Sequence, residues 1–362
     1  MRILVVGNFK ADVGNAPYKR INQVLAKISE IHNIPTNPQT EIISLNKALC
    51  QCKITMFYPL YFFVTFLRCQ SILSCLKQSN GLTLVYFYGR NLSLFLAVYS
   101  TLIFRTKNLL MVDHVENPIF LYKFRLLFSN LMLDQFLGYP FLWKLSNINL
   151  IITKSYIKSI FYSVRSTIYM PIIISENNAQ AIIKPLKLNT IDFCMISSLA
   201  SRDAPLYIKK FIEIAKSKSN VNIHIIGRFK NREMETYLTS LPNVKLYNNA
   251  DEDVKNHLLN TADFFILFRN FRKAEYYSSP TRLAEFIEYQ KPILVNQSKF
   301  VKEILGSDYN GYYEFNLNDS IESIVFKMRK IVSFGLDAYY TELGQSMLKL
   351  KSILDESEKK YL

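Results

Sequence analysis

Apolar residues fall along this chain in short unbroken runs, separated by stretches in which they recur every third or fourth position. Runs of roughly four to eight apolar residues closed by glycine or a polar residue predict strands buried on both faces, and the periodic stretches predict helices. In the first half, strands are expected at residues 2–6 (closed by Gly7), 41–45, 82–88 (closed by Gly89), 109–113 and 149–153. Helices are expected over 17–31 and 155–163, and the run 92–104 reads as a buried helix after a strand. The rhythm fades between Met170 and Pro185, then restarts with strands at 190–197, 221–227, 243–247, 263–268 and 292–296. Helical patterns at 206–216, 233–241, 253–261, 281–289 and 300–305 alternate with them, and helices over 320–332 and 339–357 close the chain. Strand–helix alternation of this kind predicts an α/β protein with parallel sheets covered on both faces. We expect two tandem Rossmann-like, doubly wound domains, residues 1–172 and 190–335, joined by a linker at 173–189 and followed by a closing helix in 336–362. In such a pair the strand C-termini would face one another across a cleft, which is where doubly wound sheets bind ligands.

Composition narrows the picture. A chain of 362 residues is long enough for two full cores, and 49% hydrophobic with 14% aromatic content excludes a disordered chain. Residues 1–180 carry 18 Lys and Arg against 7 Asp and Glu, while residues 181–362 carry 26 against 22, so the net charge of +15 lies mostly in the first half. A basic half suits an anionic membrane face or an acidic ligand. Nucleic acid is the weaker fit, because the aromatics there sit in apolar runs and not interleaved with Lys and Arg as in a base-stacking groove. The five cysteines lack zinc spacing and no Asp-x-Asp motif occurs, so no metal site is expected; Asp251-Glu252-Asp253 reads as a helix N-terminus. Met1-Arg2 runs straight into a short apolar strand unlike a secretory leader, and a cytoplasmic setting is the expectation.

The segment Tyr277-Ser278-Ser279-Pro280-Thr281-Arg282-Leu283-Ala284-Glu285-Phe286 carries the chemistry. Ser278 or Ser279 suits an N-cap, and Pro280 suits the first helical position. The orphan N–H groups and positive end of the helix would then form a seat for phosphate, to which Arg282 adds a charge-assisted bond. Glu285, a turn further on, can accept from sugar hydroxyls. The plainer alternative is a well-capped helix with Arg282 and Glu285 solvated or paired.

With its blocks in order, the second half resembles the donor domain of a GT-B glycosyltransferase, closest to the large retaining group that includes bacterial capsule, lipopolysaccharide and glycolipid enzymes. The blocks are Ser197-Ser198-Leu199-Ala200-Ser201-Arg202, Ile226-Gly227-Arg228, Asn243-Val244-Lys245-Leu246-Tyr247, Leu258 to Leu267, and the segment above. In the first half the likeness rests on residues 7–20 and on Val112-Asp113-His114-Val115-Glu116. The resemblance implies that Glu285 holds the ribose of a nucleotide-diphosphate sugar, that Ser279, Pro280 and Thr281 form the helix start beneath the diphosphate, with Ser278 beside them as a candidate binding residue, and that Arg202 meets the phosphates. It likewise implies a donor-facing loop at Gly14, with Gly227 and Asn248 beside the nucleotide. The final helix would cross back to the first domain. Three features depart from the family pattern: Tyr277 stands where a first glutamate would be, Asp203 follows Arg202 where a lysine would be, and the Gly-Gly of the N-terminal loop is reduced to Gly14.

For the acceptor side, Asp113 and His114 end a strand at the edge expected to face the cleft, and His114 is a candidate hydrogen-bonding partner for the transferring sugar or the acceptor hydroxyl. A structural histidine is the alternative. The apolar run 54–67 is flanked by Lys53 and Arg68 and is too short to span a bilayer, which takes about 20 residues. Either it is core, or it lays an aromatic, cationic surface on an anionic inner leaflet, where a lipid-linked acceptor would be met. The expected function is metal-independent transfer of a sugar from a nucleotide-diphosphate sugar, the donor substrate, to a glycan or lipid-linked acceptor in cell-surface polysaccharide or glycolipid synthesis. No other cofactor is expected. The alternatives are a catalytically degenerate GT-B scaffold and a nucleotide-sugar epimerase, for whose acid–base work four histidines are a thin supply.

Overall fold

The structure, a computed structural model, describes residues 2–7, 16–32, 40–44, 58–74, 82–89, 91–103, 108–114, 130–152, 167–171, 173–174, 190–199, 203–270 and 281–361. They form two compact units. In the first, strands β1 (Arg2–Gly7), β2 (Thr40–Ser44), β3 (Thr83–Tyr88), β4 (Asn108–His114), β5 (Ile148–Ile151) and β6 (Thr167–Tyr169) make one parallel sheet in the order β2-β1-β3-β4-β5-β6. Every residue of β4 is buried and β3 is buried up to Tyr88, the consequence of helical cover on both faces. The helices are α1 (Ala16–His32), α2 (Tyr58–Ser74), α3 (Leu92–Val98), which continues as a π-helical turn over Tyr99–Ile103, and α4 (Asn130–Leu145). Leu4, Val6, Phe87, Phe95, Val98, Val112 and Leu142 fill the layer between sheet and helices.

The second unit repeats the plan. Strands β7 (Ile191–Ile196), β8 (Val221–Gly227), β9 (Val244–Asn248), β10 (Phe264–Leu267), β11 (Ile293–Val295) and β12 (Tyr312–Glu314) are parallel in the order β12-β11-β10-β7-β8-β9. Helices α5 (Pro205–Ala215), α6 (Arg232–Thr239), α7 (Glu252–Thr261), α8 (Thr281–Glu288), α9 (Ser298–Leu305) and α10 (Ile321–Arg329) connect them. The strand order reverses between β7 and β10, which makes their C-terminal ends the topological switch point of the sheet. Phe193, Phe211, Phe264, Phe268 and Phe315 meet in one aromatic cluster beneath it. The last helix, α11 (Asp337–Tyr361), starts in this unit and is counted with the first from Glu342 on, where Lys349 Nζ donates to Thr167 O at 2.9 Å and Leu350 and Leu354 are fully buried.

Three differences from the sequence reading have physical reasons. The edge strands β6 and β12 were not expected: each is three residues long, too short to show a period. The helix α4 carries Pro140 in its interior, which interrupts the helical pattern. Of the apolar run 54–67, residues 58–67 open α2, whose inner face packs as core while Leu60, Phe63 and Leu67 stay exposed; 54–57 lie outside the described residues. The helix expected at 155–163 lies outside the described residues.

Candidate functional site

At the switch point of the second unit, β7 ends in a turn built around one carboxylate. Asp203, 1% exposed, takes three hydrogen bonds on Oδ2, from Ser197 Oγ at 2.9 Å, Ser198 N at 2.8 Å and Ser198 Oγ at 2.9 Å. Its other oxygen, Oδ1, accepts from Arg282 Nη1 at 2.9 Å and lies 3.8 Å from Arg269 Nη1. Burial alone would push this carboxyl up; Arg282 and the Ser198 and Ser197 donors outweigh it and hold the group below the ordinary aspartate range. The turn adopts left-handed backbone at two non-glycine residues, Leu199 with φ 54° and Ala204 with φ 46°. Such geometry persists only where its surroundings over-determine it.

Arg269 follows β10, and its backbone is clamped by Asn296 after β11: Arg269 N donates to Asn296 Oδ1 at 2.9 Å, and Asn296 Nδ2 donates back to Arg269 O at 2.8 Å. Arg282 and Glu285 lie one turn apart on α8. Leu283, Ala284, Phe286 and Ile287 are buried on its other side, with Phe286 stacked on Phe265 at 4.4 Å between centroids. The buried residues fix the rotation of the helix, and this rotation turns Arg282 and Glu285 away from the core. Glu285 Oε1 accepts from Lys255 Nζ on α7 at 3.0 Å, each side chain being 17% exposed. Lys291 holds α7 from below, donating to the carbonyls of Leu259, Asn260 and Ala262 at the helix C-terminus.

Gly227 ends β8 against the same turn, and a side chain there would strike the Ser197 carbonyl. Asn248 is exposed at the end of β9. Beside it Asn249, with φ 54°, donates its N–H to Gly227 O at 2.9 Å and accepts from Arg228 Nε at 3.0 Å. Thr281 opens α8, its side chain outside the described residues; Gly14, Arg202, Ser278 and Ser279 lie outside them as well.

Asp113 and His114, the acceptor-side candidates, end β4. Both are buried, at 1% and 0% exposure, in the first unit. Asp113 Oδ2 accepts from Tyr86 OH at 2.6 Å and from Arg20 Nε at 3.2 Å, and Arg20 goes on to the carbonyls of Met170 and Pro171. His114 stacks on Trp143 with centroids 4.1 Å apart and sets Nε2 2.7 Å from Asn149 Oδ1. A strand-end position suggested an accessible pair, but the ring of Trp143 covers the histidine and a buried arginine takes the carboxylate.

Sequence reasoning missed Arg269 and Lys255 and saw Asp203 only as a departure. The available signal was the Ser197-Ser198 hydroxyl pair a few residues ahead of an aspartate, the composition of a side-chain-stapled turn. Among the described residues, no group of three or more His, Cys, Asp or Glu could hold a metal ion.

No protein-family model matches the sequence, and the curated proteins give no match. Solved structures do match along nearly the whole chain. The E. coli trehalose-6-phosphate structure bound with UDP-2-fluoro glucose aligns with a TM-score of 0.56 at 10% identity, covering 99% of this chain and 96% of that one. An alpha,alpha-trehalose-phosphate synthase (UDP-forming) from Burkholderia xenovorans, in complex with glucose-6-phosphate, aligns at 0.53 and 9% identity, covering 98% and 97%. A putative UDP-N-acetylglucosamine 2-epimerase from Listeria monocytogenes aligns at 0.51 and 10% identity, covering 97% and 91%. The fold is therefore GT-B, two Rossmann-like α/β domains.

Proposed function

We propose that this protein is a glycosyltransferase that takes its sugar from a nucleotide-diphosphate donor, a UDP-sugar before other bases, and needs no metal ion for the step. One observation carries the reading: Arg282 and Arg269 stand at the topological switch point, with an acceptor for hydroxyls, Glu285, one turn along the same helix. A leaving diphosphate gathers negative charge as the glycosidic bond breaks, and preorganised cations with a helix N-terminus are the groups that stabilise it. Glu285 suits the ribose hydroxyls, and the exposed backbone around Asn248 suits the base. The fold likeness to UDP-bound and UDP-forming neighbours supports the choice of donor. A degenerate scaffold is the second reading, favoured by a carboxylate lodged within the cationic seat and by Tyr277 in place of a glutamate. Thermal melting with a panel of nucleoside diphosphates and their sugars separates the two. At 100 times the dissociation constant, a UDP-sugar should stabilise the chain by about 2.7 kcal/mol. A melt that no nucleotide moves sinks the enzyme reading.

The acceptor in this reading is a glycan or a lipid-linked sugar of cell-surface polysaccharide or glycolipid synthesis, met at an anionic leaflet. Among the described residues, no helix is long and apolar enough to cross a membrane. The support is instead a lateral surface. On α2, Leu60, Phe63 and Leu67 are 51%, 56% and 44% exposed at helical spacing, and α4, packed beside it, exposes Phe141 and Lys144. Phe62, by contrast, is half-buried and stacked on Phe66, so it belongs to the packing and not to the surface. Replacing Phe63 and Phe141 by serine should leave the melt unchanged and cut binding to anionic phospholipid vesicles at least tenfold, on a scale of roughly 1.5–3 kcal/mol per buried ring. Equal vesicle binding by variant and parent contradicts the membrane surface.

A further inference from the structure

We propose that Asp203 is the positioning residue of the cationic seat: its buried carboxylate holds Arg282 ready for a ligand's phosphates and does not compete with them. The inference rests on the nucleotide-sugar reading of the same site. On charge alone an acid here is a liability, since like charges a few ångströms apart repel strongly away from bulk water. The geometry removes that objection. An ionised carboxylate has about four acceptor positions. Asp203 saturates Oδ2 with three donors, Ser197 Oγ, Ser198 N and Ser198 Oγ, and turns Oδ1 to Arg282. Its side chain is 2% exposed, so its charge is matched inside the protein and is not presented to a ligand. Arg282 has five N–H donors, of which Asp203 engages one. The guanidinium is 24% exposed, which leaves donors at the surface to form a bidentate pair with phosphate oxygens.

The cost that Asp203 lowers is entropic. A free arginine on a helix face carries about 2 kcal/mol of rotamer entropy, lost when it closes on a ligand. Anchoring the guanidinium beforehand shifts that loss from binding to folding. The anchor is itself rigid, because Ala204 holds left-handed backbone next to the aspartate and Leu199 does so on the far side of the turn, where its N–H meets Ser197 Oγ at 3.0 Å. Arg269, 5% exposed at the side chain, sits behind the pair as a second cation, so the three groups together remain net positive.

Asp203→Asn tests this cleanly. Its amide oxygen can keep the bonds from Ser197 and Ser198, while its NH2 replaces the acceptor facing Arg282. By calorimetric titration, UDP should bind the variant roughly tenfold or more weakly, the size of one charge-assisted hydrogen bond, with uridine unchanged. In the Arg282→Ala background the same substitution should have no further effect on UDP, which a merely structural aspartate would not satisfy. Tighter or unchanged UDP binding by Asp203→Asn overturns the proposal, as does an equal loss for UDP and uridine. If Asp203→Asn loses its cooperative melt, Ser198→Ala loosens the carboxylate without altering any charge, and unchanged UDP affinity there is equally fatal. A parent protein that binds inorganic pyrophosphate but no nucleotide removes the nucleotide-sugar reading alone, and the same comparisons then run with pyrophosphate. Binding of neither overturns both.

Discussion

Glu285→Gln should fold like the parent and bind UDP and UDP-sugars some 10–100 times more weakly, the range expected when a charge-assisted hydrogen bond of roughly 1.5–3 kcal/mol is lost. The substitution keeps the shape of the side chain and changes only its charge and its acceptor strength. Leu283, Phe286 and Ile287 seat α8 independently of it, so the helix keeps its place. Lys255 loses its partner at 3.0 Å, yet retains Glu252 at 3.4 Å, and the pair is partly solvated. The stability loss should therefore stay near 1 kcal/mol or below. Affinity is the sensitive quantity, because an amide oxygen accepts less strongly from two ribose hydroxyls than a carboxylate does. The comparison that isolates the sugar is 2′,3′-dideoxy-UDP: parent and variant should bind it equally. A variant that binds UDP as tightly as the parent would remove Glu285 from the site altogether.

The same pair explains what could be read from sequence and what could not. Strand runs such as 109–112 and 264–267 announce themselves because both faces are buried and nothing polar interrupts them. The three-residue strands β6 and β12 are defined by neighbours already in place, and pairing of that kind leaves no local mark. Arg282 and Glu285 were visible as neighbours on one helix turn. Their partners were not, since Asp203 lies 79 positions from Arg282 and Lys255 lies 30 from Glu285. A chain read in one dimension shows the donors and acceptors but not who satisfies them. His114 was likewise visible as a histidine at a strand end, but the ring of Trp143 stacked on it, 29 positions away by number, was not. Asp203 looked like a defect in a basic motif for the same reason. Only the folded turn shows its charge already matched by two arginines and three donors.

Gly227→Ala should lower the stability of the second unit by about 1–3 kcal/mol, and weaken UDP binding with it. A Cβ at Gly227 would lie 1.9 Å from the Ser197 carbonyl oxygen and 2.8 Å from its carbon, atoms of the main chain that no rotamer change can withdraw. The approach is this close because Ser197 extends the β7–β8 pairing, donating its N–H to Ile226 O at 2.9 Å. To admit a methyl group the end of β7 must move away from β8, and Ser197 carries one of the three donors on Asp203 Oδ2 with it. Displacement therefore passes from Gly227 to the carboxylate, and from there to the guanidinium of Arg282. Asn249, whose N–H bonds the Gly227 carbonyl, would shift on the other side of the site. The close approach of two backbones at Gly227 is a role that this substitution can measure. Thermal melting and UDP titration on one preparation decide the matter. A lower melt with unchanged UDP affinity would uncouple the turn from the seat, and two unchanged values would mean that the close approach at Ser197 relaxes without consequence.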